Sequence, residues 1–153
     1  MIKKILLLGL LSTFLFSAEN TYSKQQLEKM IAKMVILGFK GEKIDASSKI
    51  YKDIKKYDLG GVILFDKDPN NKKKINNIKN PKQVQNLTKQ LQSINKTKLL
   101  IAIDQEGGIV QRLNKKNGFM SIPKAKDVSI KGISYARNVY KDLGQMLNTN
   151  GLN

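Results

Sequence analysis

Two short apolar runs constrain the fold of this chain more than any other feature. The first is Val62-Ile63-Leu64-Phe65, and the second is Leu99-Leu100-Ile101-Ala102-Ile103. Continuous apolar runs of this length are typical of strands that are buried on both faces of a parallel sheet. The sequence therefore predicts two buried strands in an α/β fold, provided that helices connect them.

A capping box predicts where the first helix begins. Ser23 and Gln26 are spaced so that each side chain can accept a hydrogen bond from the other residue's free backbone N–H. Apolar residues then recur at helical spacing, and Gly38 or Gly41 offers an end to the helix. The members of this stripe are Leu27, Met30, Ile31, Met34 and Val35.

Three further helices are predicted along the chain. One covers residues 48–57, one begins with Asn80 as its cap and Pro81 in its first turn, and the last spans residues 127–147. Residues 66–79 are polar and low in complexity, which indicates a solvated surface loop or insertion. Strands that alternate with helices predict βαβ units and a parallel sheet.

The length of the chain limits how much of such a sheet it can form. A complete (β/α)₈ barrel takes about 250 residues, whereas this sequence has 153. Two strands alone do not make a sheet with both faces covered. Asn150-Gly151 resembles a helix-to-strand turn, so we expect the sheet to continue beyond Asn153 and this chain to stop before the third strand.

The amino-terminal segment has the layout of a secretory signal peptide. Lys3 and Lys4 precede an apolar run over residues 5–16, and Ser17-Ala18 offers a cleavage site. The run has 12 residues, whereas a membrane-spanning helix needs about 20. We therefore expect residues 1–18 to be a signal peptide, residues 19–153 to be exported to a periplasm, and no stable membrane insertion to remain after cleavage.

Composition excludes several classes of site. The chain contains no cysteine and no histidine, which removes disulfides, thiolate zinc sites and the commonest general base. Its net charge of +16 comes almost entirely from lysine, because the arginines are Arg112 and Arg137 alone. These lysines are spread along the chain without a recognition motif. The sequence predicts no nucleic-acid partner, no metal site and no cofactor, and it leaves the oligomeric state open.

The segment from Asp104 to Arg112 is the strongest candidate for a functional site. It follows the second predicted strand, and parallel α/β folds bind ligands at the carboxyl ends of their strands. Two carboxylates and an arginine flank the glycine pair Gly107-Gly108, which allows a sharp turn or close approach to a ligand.

Four interpretations of this segment are open from chemistry alone. Asp104 and Glu106, roughly 6.5 Å apart on a strand, could form a catalytic pair, although both would then approach the substrate from one edge. They could bind a metal, but calcium takes at least six oxygen ligands. Arg112 could pair with Asp104 or Glu106 in a purely structural turn. Carboxylate and guanidinium could also orient a sugar through its hydroxyls.

A family resemblance favours the sugar. The segment Leu100–Gly108, followed by Val110-Gln111-Arg112, resembles the signature of glycoside hydrolase family 3 in its beta-N-acetylhexosaminidase branch. Four other segments resemble, in order, the family's opening helix, its first strand, the following helix and the approach to the next strand. They are Met34–Phe39, Gly60–Phe65, Asn80–Gln92 and Leu143–Asn153.

The resemblance implies a (β/α)₈ barrel and two-step retaining hydrolysis of terminal non-reducing β-linked sugars, commonly N-acetylglucosamine from peptidoglycan fragments. It implies that Asp104 binds hydroxyls of the terminal sugar, with Arg112 assisting. Glu106, Gly107 and Gly108 would support them.

The chain also departs from the family pattern. Ile109 stands where the motif usually has arginine. The family's histidine-bearing acid/base loop and its aspartate nucleophile are expected beyond Asn153, so we assign no catalytic residue here and expect this polypeptide alone to be inactive. The alternative function is a non-catalytic carbohydrate-binding module or pseudoenzyme fragment.

Overall fold

The computed structural model describes residues 21–153, so the predicted signal peptide lies outside the described residues. A short 3₁₀ turn, Lys115–Asn117, precedes the last two helices. In chain order the elements are α1 (Lys24–Lys33), β1 (Ile36–Gly38), α2 (Lys49–Tyr57), β2 (Gly61–Leu64), β3 (Lys67–Asp68), β4 (Asn71–Ile75), α3 (Pro81–Ile94), β5 (Leu100–Ile103), β6 (Gln105–Gly107), β7 (Val110–Gln111), α4 (Ala125–Ile130) and α5 (Ile133–Thr149).

A parallel sheet with the order β1-β2-β5 forms the centre of the fold. Val62 in the middle strand pairs with Leu37 on one side and Ile101 on the other. The connections between these strands contain α2 and α3, as expected for βαβ units. Both helices bury apolar side chains in the same core as the sheet. The core includes Ile50, Ile54, Val62, Leu64, Val84, Leu87, Leu91, Leu99 and Ile101.

The opposite face of the sheet is open within the described residues. Ile36, Gly61 and Leu100 are register partners and share this face, and both large side chains are exposed. The predicted strands are therefore buried on their helix-covered face, and the prediction of burial on both faces is wrong for this part of the chain.

The strand β1 corrects the predicted extent of the first helix. The capping box of Ser23 and Gln26 is present, but α1 ends at Lys33 rather than near Gly38. The segment that resembled a helix instead pairs with β2, and Gly61 N donates to Val35 O at 3.1 Å. Consecutive β-branched residues favour an extended backbone when a partner strand is available. The parallel sheet therefore has three strands in the described residues, one more than the two that the sequence predicted.

The other helix starts agree with the sequence. Ser48 precedes α2 as its N-cap residue, and the Asn80 side chain accepts a hydrogen bond from Gln83 N at 2.9 Å, with Pro81 in the first turn of α3. The predicted last helix is divided into α4 and α5, because Gly132 between them has φ of +83°. This extended conformation at positive φ, with ψ of 173°, is one that essentially only glycine adopts, and it separates the two helices.

The carboxyl-terminal residues lie against β5. Gly151 makes the predicted turn with φ of +75°, and Leu152 is buried in the core. Asn153 N donates to Ile101 O at 3.4 Å, while Ile101 N donates to Asn153 Oδ1 at 2.8 Å. In the part of the chain that the structure describes, no helix is long and apolar enough to cross a membrane.

The region predicted as a solvated loop is an antiparallel hairpin that ends in two buried asparagines. Strands β3 and β4 pair across it, and Asn76 and Asn77 are then almost fully buried. Asn77 Oδ1 accepts from Phe65 N at 3.0 Å, and Asn77 Nδ2 donates to Phe39 O at 3.2 Å and to Gly41 O at 2.9 Å. The side-chain amide of Asn77 thus links the backbone segments that directly follow the carboxyl ends of β1 and β2.

We expect Asn77→Ala to destabilise the protein by about 1–3 kcal/mol, because the partly buried backbone groups of Gly41 and Phe65 lose the Asn77 side chain as their partner. Urea denaturation of the full chain measures this loss. Asn70→Ala, at an exposed position of the same hairpin, is the control and should stay within about 0.5 kcal/mol of the wild type. Equal stability of the two variants would contradict the assigned role of Asn77.

A second prediction concerns the pH dependence of the hairpin. The backbone N–H of Asn70, 2.7 Å from Asp68 Oδ1, is the main cause that lowers the pKa of Asp68 below 3.8, and Lys40 contributes next. A carboxylate whose pKa is lower in the folded protein than in the unfolded chain stabilises the fold at pH values above its ordinary pKa. This stabilisation is lost as the pH falls through the lowered pKa. The NMR shift of the Asn70 amide should therefore titrate with a midpoint below 3.8, and a midpoint above it would contradict this.

Candidate functional site

The candidate site lies where β2 and β5 end side by side. Leu64 and Ile103 are register partners, so the next residues, Phe65 and Asp104, leave the sheet together. Side chains alternate between the two faces of a strand, which places Asp104 on the face of Leu100 and Ala102. That is the open face of the sheet, at the edge where α/β folds bind their ligands.

Arg112 lies between two carboxylates at this edge. Its Nη2 is 3.2 Å from Asp104 Oδ2, and its Nη1 is 3.8 Å from Asp66 Oδ1. The guanidinium carbon also lies 5.8 Å from the centre of the Phe65 ring, within reach of a cation–π contact. Two carboxylates and one guanidinium leave the cluster with a net charge of −1.

The β6–β7 hairpin brings Arg112 back to Asp104, and two glutamine side chains hold it. Gln105 exchanges hydrogen bonds with the backbone of Leu113 at 2.9 and 3.0 Å. Gln111 Nε2 donates to Gly108 O at 2.7 Å, and Gln111 Oε1 accepts from Ile122 N at 2.7 Å. The hairpin is therefore tied to both the strand end and the segment that follows it.

The glycine pair has a structural role in this arrangement. Gly107 and Gly108 have φ of +90° and +63°. A Cβ on Gly107 would lie 2.3 Å from Pro123 O, and one on Gly108 would lie 2.3 Å from Lys124 Cγ. The two glycines thus allow a turn at positive φ that packs closely against residues 122–124.

Glu106 stands apart from the pair that the sequence singled out. It is exposed on β6, and no ion pair among the described residues joins it to Arg112. Asp104 and Glu106 therefore do not share one partner. Of the predicted site residues, the structure brings Asp104 and Arg112 into direct contact and leaves Glu106 outside it.

Asp66 and Phe65 are members of the cluster that the sequence analysis missed. The sequence pattern predicted a strand at Phe65 and a surface loop at Asp66. A signal was present, because Asp66 directly follows the first apolar run just as Asp104 directly follows the second. Two parallel neighbouring strands bring such residues to one edge.

Two grooves near Arg112 share part of their lining. The larger has a volume of about 520 Å³ and the smaller about 360 Å³, and Asp66, Lys67 and Arg112 line both. Ile109, which replaces the usual arginine of the motif, lines the larger groove and is almost fully exposed. The remaining residues of the larger groove are Gly108, Gln111, Asn114, Lys115, Lys116, Asn117 and Ser121.

The chemistry available at this edge is hydrogen bonding to a polar ligand. Within residues 21–153, no group of three or more carboxylate, imidazole or thiol side chains is placed to hold a metal ion. Asp104 is 42% exposed and can accept hydrogen bonds from hydroxyl groups, while Arg112 donates in a fixed fork. Such a pair can orient a sugar.

Comparisons with known proteins identify the family of this chain. A model of the glycosyl hydrolase family 3 N terminal domain matches residues 24–152. Beta-hexosaminidase A of Pseudoalteromonas piscicida is 38% identical over 109 residues, which cover 65% of this chain and 17% of that protein.

Solved structures of NagZ from Neisseria gonorrhoeae are similar over 77% of this chain. The native structure has a TM-score of 0.59 with 27% identity. The complex with N-trifluoroacetyl-D-glucosamine has a TM-score of 0.58 with 25% identity. This chain spans about a third of NagZ, 33% and 34% respectively.

These similarities confirm the predicted fold class, which is α/β and corresponds to the amino-terminal portion of a (β/α)₈ barrel. They also confirm the predicted resemblance, since the family model and the hexosaminidase relative agree. The chain therefore belongs to glycoside hydrolase family 3, in its beta-N-acetylhexosaminidase branch, and corresponds to part of that family's N-terminal domain.

Proposed function

We propose that this protein is an exported glycoside hydrolase that removes terminal non-reducing N-acetylglucosamine, and that Asp104 and Arg112 bind the terminal sugar. The observation that carries the proposal is the 3.2 Å contact between Arg112 and Asp104 at the carboxyl end of β5. It joins the two residues of the family motif that have the chemistry to bind sugar hydroxyls.

The geometry of Asp104 suits a binding role. Arg112 contacts Oδ2, so Oδ1 and the remaining lone pairs can accept hydrogen bonds from adjacent hydroxyls of a pyranose. Hydrogen bonds to an ionised carboxylate are shorter and stronger than neutral ones. Arg112 can then donate its remaining N–H groups to the same sugar or to its ring oxygen.

Cleavage of the glycosidic bond needs two groups that reach it from different directions. Asp66 and Asp104 do not meet this need, because both contact the same guanidinium. We therefore assign neither as nucleophile or acid/base, and we assign no catalytic residue among residues 21–153. Among the carboxylates of this cluster, Asp104 is the one that binds and orients the substrate.

The choice of sugar rests on the relatives. NagZ was crystallised with N-trifluoroacetyl-D-glucosamine, an N-acylated glucosamine, and the curated relative is a beta-hexosaminidase. The charge and apolar run of residues 3–18 support export. Peptidoglycan fragments in a periplasm are the natural source of terminal N-acetylglucosamine in that location.

The proposed hydrolase activity can be measured on the native gene product. An antiserum raised to residues 19–153 should precipitate, from the periplasmic fraction, a protein that hydrolyses an aryl N-acetyl-β-glucosaminide. Hydrolysis of the matching aryl β-glucoside by the same precipitate is the control and should be much slower. A precipitate that binds N-acetylglucosamine without hydrolysis would support a carbohydrate-binding module instead, and one found in the cytoplasm would contradict export.

The roles of the two motif carboxylates are separable in the same native protein. We expect Asp104→Asn to weaken binding of N-acetylglucosamine about 10- to 100-fold, since charge-assisted hydrogen bonds contribute about 1.5–3 kcal/mol. Glu106→Gln makes the same charge change at an exposed neighbour and should alter the affinity less than two-fold. Calorimetric titration measures both, and equal effects would reject Asp104 as the sugar ligand.

A further inference from the structure

We propose that Asp66 is a positioning residue for the sugar site: it holds one arm of Arg112 so that Asp104 keeps an oxygen free for the substrate. This inference rests on the proposed function, but its first step concerns the free protein alone. Asp66 lies outside the motif of residues 104–112 and comes from a different strand.

The burial of Asp66 is the first observation. Its side chain is 15% exposed, against 42% for Asp104 and 33% for Arg112. A carboxylate that is largely withdrawn from water needs a partner, and Arg112 is the cation that contacts it among the described residues. Asp66 therefore faces the arginine, whereas Asp104 faces both the arginine and solvent.

The nitrogen atoms of Arg112 are divided between these carboxylates. Nη1 is nearest to Asp66, Nη2 is nearest to Asp104, and the buried Nε has no hydrogen-bond partner among the described residues. The orientation of the guanidinium plane thus depends on the two carboxylates and on the Phe65 ring beside it. Removal of either carboxylate removes one of the three restraints.

Asp66 has a rigid support for this role. Asn76 N donates to Asp66 O at 3.0 Å, and Asn77 N donates to Phe65 O at 2.8 Å. The same two asparagines are buried and bonded to the exit of β1. The backbone at Asp66 is therefore fixed by a network that does not include Arg112.

The consequence follows from the geometry of arginine. A guanidinium that has one carboxylate partner tends to pair with it in a bidentate way, through two parallel N–H···O bonds. Without Asp66, Arg112 would be free to use both oxygens of Asp104, which would then compete with sugar hydroxyls for the same oxygens. Asp66 prevents this by attracting Nη1.

The test compares Asp66→Asn with Asp68→Asn in the full-length native protein. Both variants remove one carboxylate from the same segment, but Asp68 pairs with Lys40 at 3.3 Å rather than with Arg112. We expect Asp66→Asn to weaken N-acetylglucosamine binding about 3- to 10-fold by calorimetry, and Asp68→Asn to change it less than two-fold. Equal affinities for Asp66→Asn and the wild type would overturn the proposal.

A double-mutant cycle separates positioning from a general structural effect. If Asp66 acts through Arg112, then Asp66→Asn should cause no further loss of affinity in an Arg112→Ala background. A fully additive loss would mean that Asp66 acts through the fold instead, and would overturn the proposal. Asp66→Glu keeps the charge and is the second variant if Asp66→Asn does not fold. It should bind within about three-fold of the wild type, and a greater loss would count against the proposal.

The ligand-free protein gives an independent readout. NMR relaxation of the Arg112 Nε–Hε group should report greater mobility in Asp66→Asn than in the wild type or Asp68→Asn. If the wild type binds no N-acetylglucosamine, the proposed function fails, whereas the ordering of Arg112 by Asp66 is still decided by this measurement. Unchanged mobility in Asp66→Asn would show that Asp66 does not position Arg112.

Discussion

The buried side-chain amide of Asn77 is the interaction on which the site depends. It accepts a hydrogen bond from the backbone of Phe65 and donates to the backbone of Phe39 and Gly41. Strand ends in a parallel sheet have backbone groups that no further strand satisfies, and buried groups of this kind are costly unless they are paired. By pairing them, Asn77 fixes the carboxyl end of β2, which is followed by Phe65 and Asp66, two of the three described residues that contact the guanidinium of Arg112.

Local patterns predicted much of the fold. The two apolar runs became β2 and β5, and the caps at Ser23 and Asn80 began the helices that they indicated. Each of these signals lies within a few consecutive residues, so a short window of sequence contains it. The boundary of α1 was wrong because β1 is specified by a partner 25 residues away, through the register of Ile36 with Gly61.

The candidate site was predictable only in part, for the same reason. Asp104 and Arg112 are eight residues apart and belong to one hairpin, so the sequence could bring them together. Asp66 is separated from both by α3 and by the whole of β5. The low-complexity sequence around Lys72 was predicted as a solvated loop, because lysine and asparagine are usually solvated. It forms instead a hairpin that is followed by two buried asparagines. Composition could not distinguish the exposed asparagines from Asn77.

Local charge, rather than net charge, decides which ligand fits this edge. The chain has 28 basic and 12 acidic residues, yet the cluster around Arg112 contains two carboxylates for one guanidinium. A phosphate group that binds Arg112 at this edge would have to displace Asp66 or Asp104 from the guanidinium. A neutral sugar has hydroxyls that donate to Asp104 without such a cost. At Asp104 itself, a hydroxyl donor is therefore a better ligand than a phosphate oxygen.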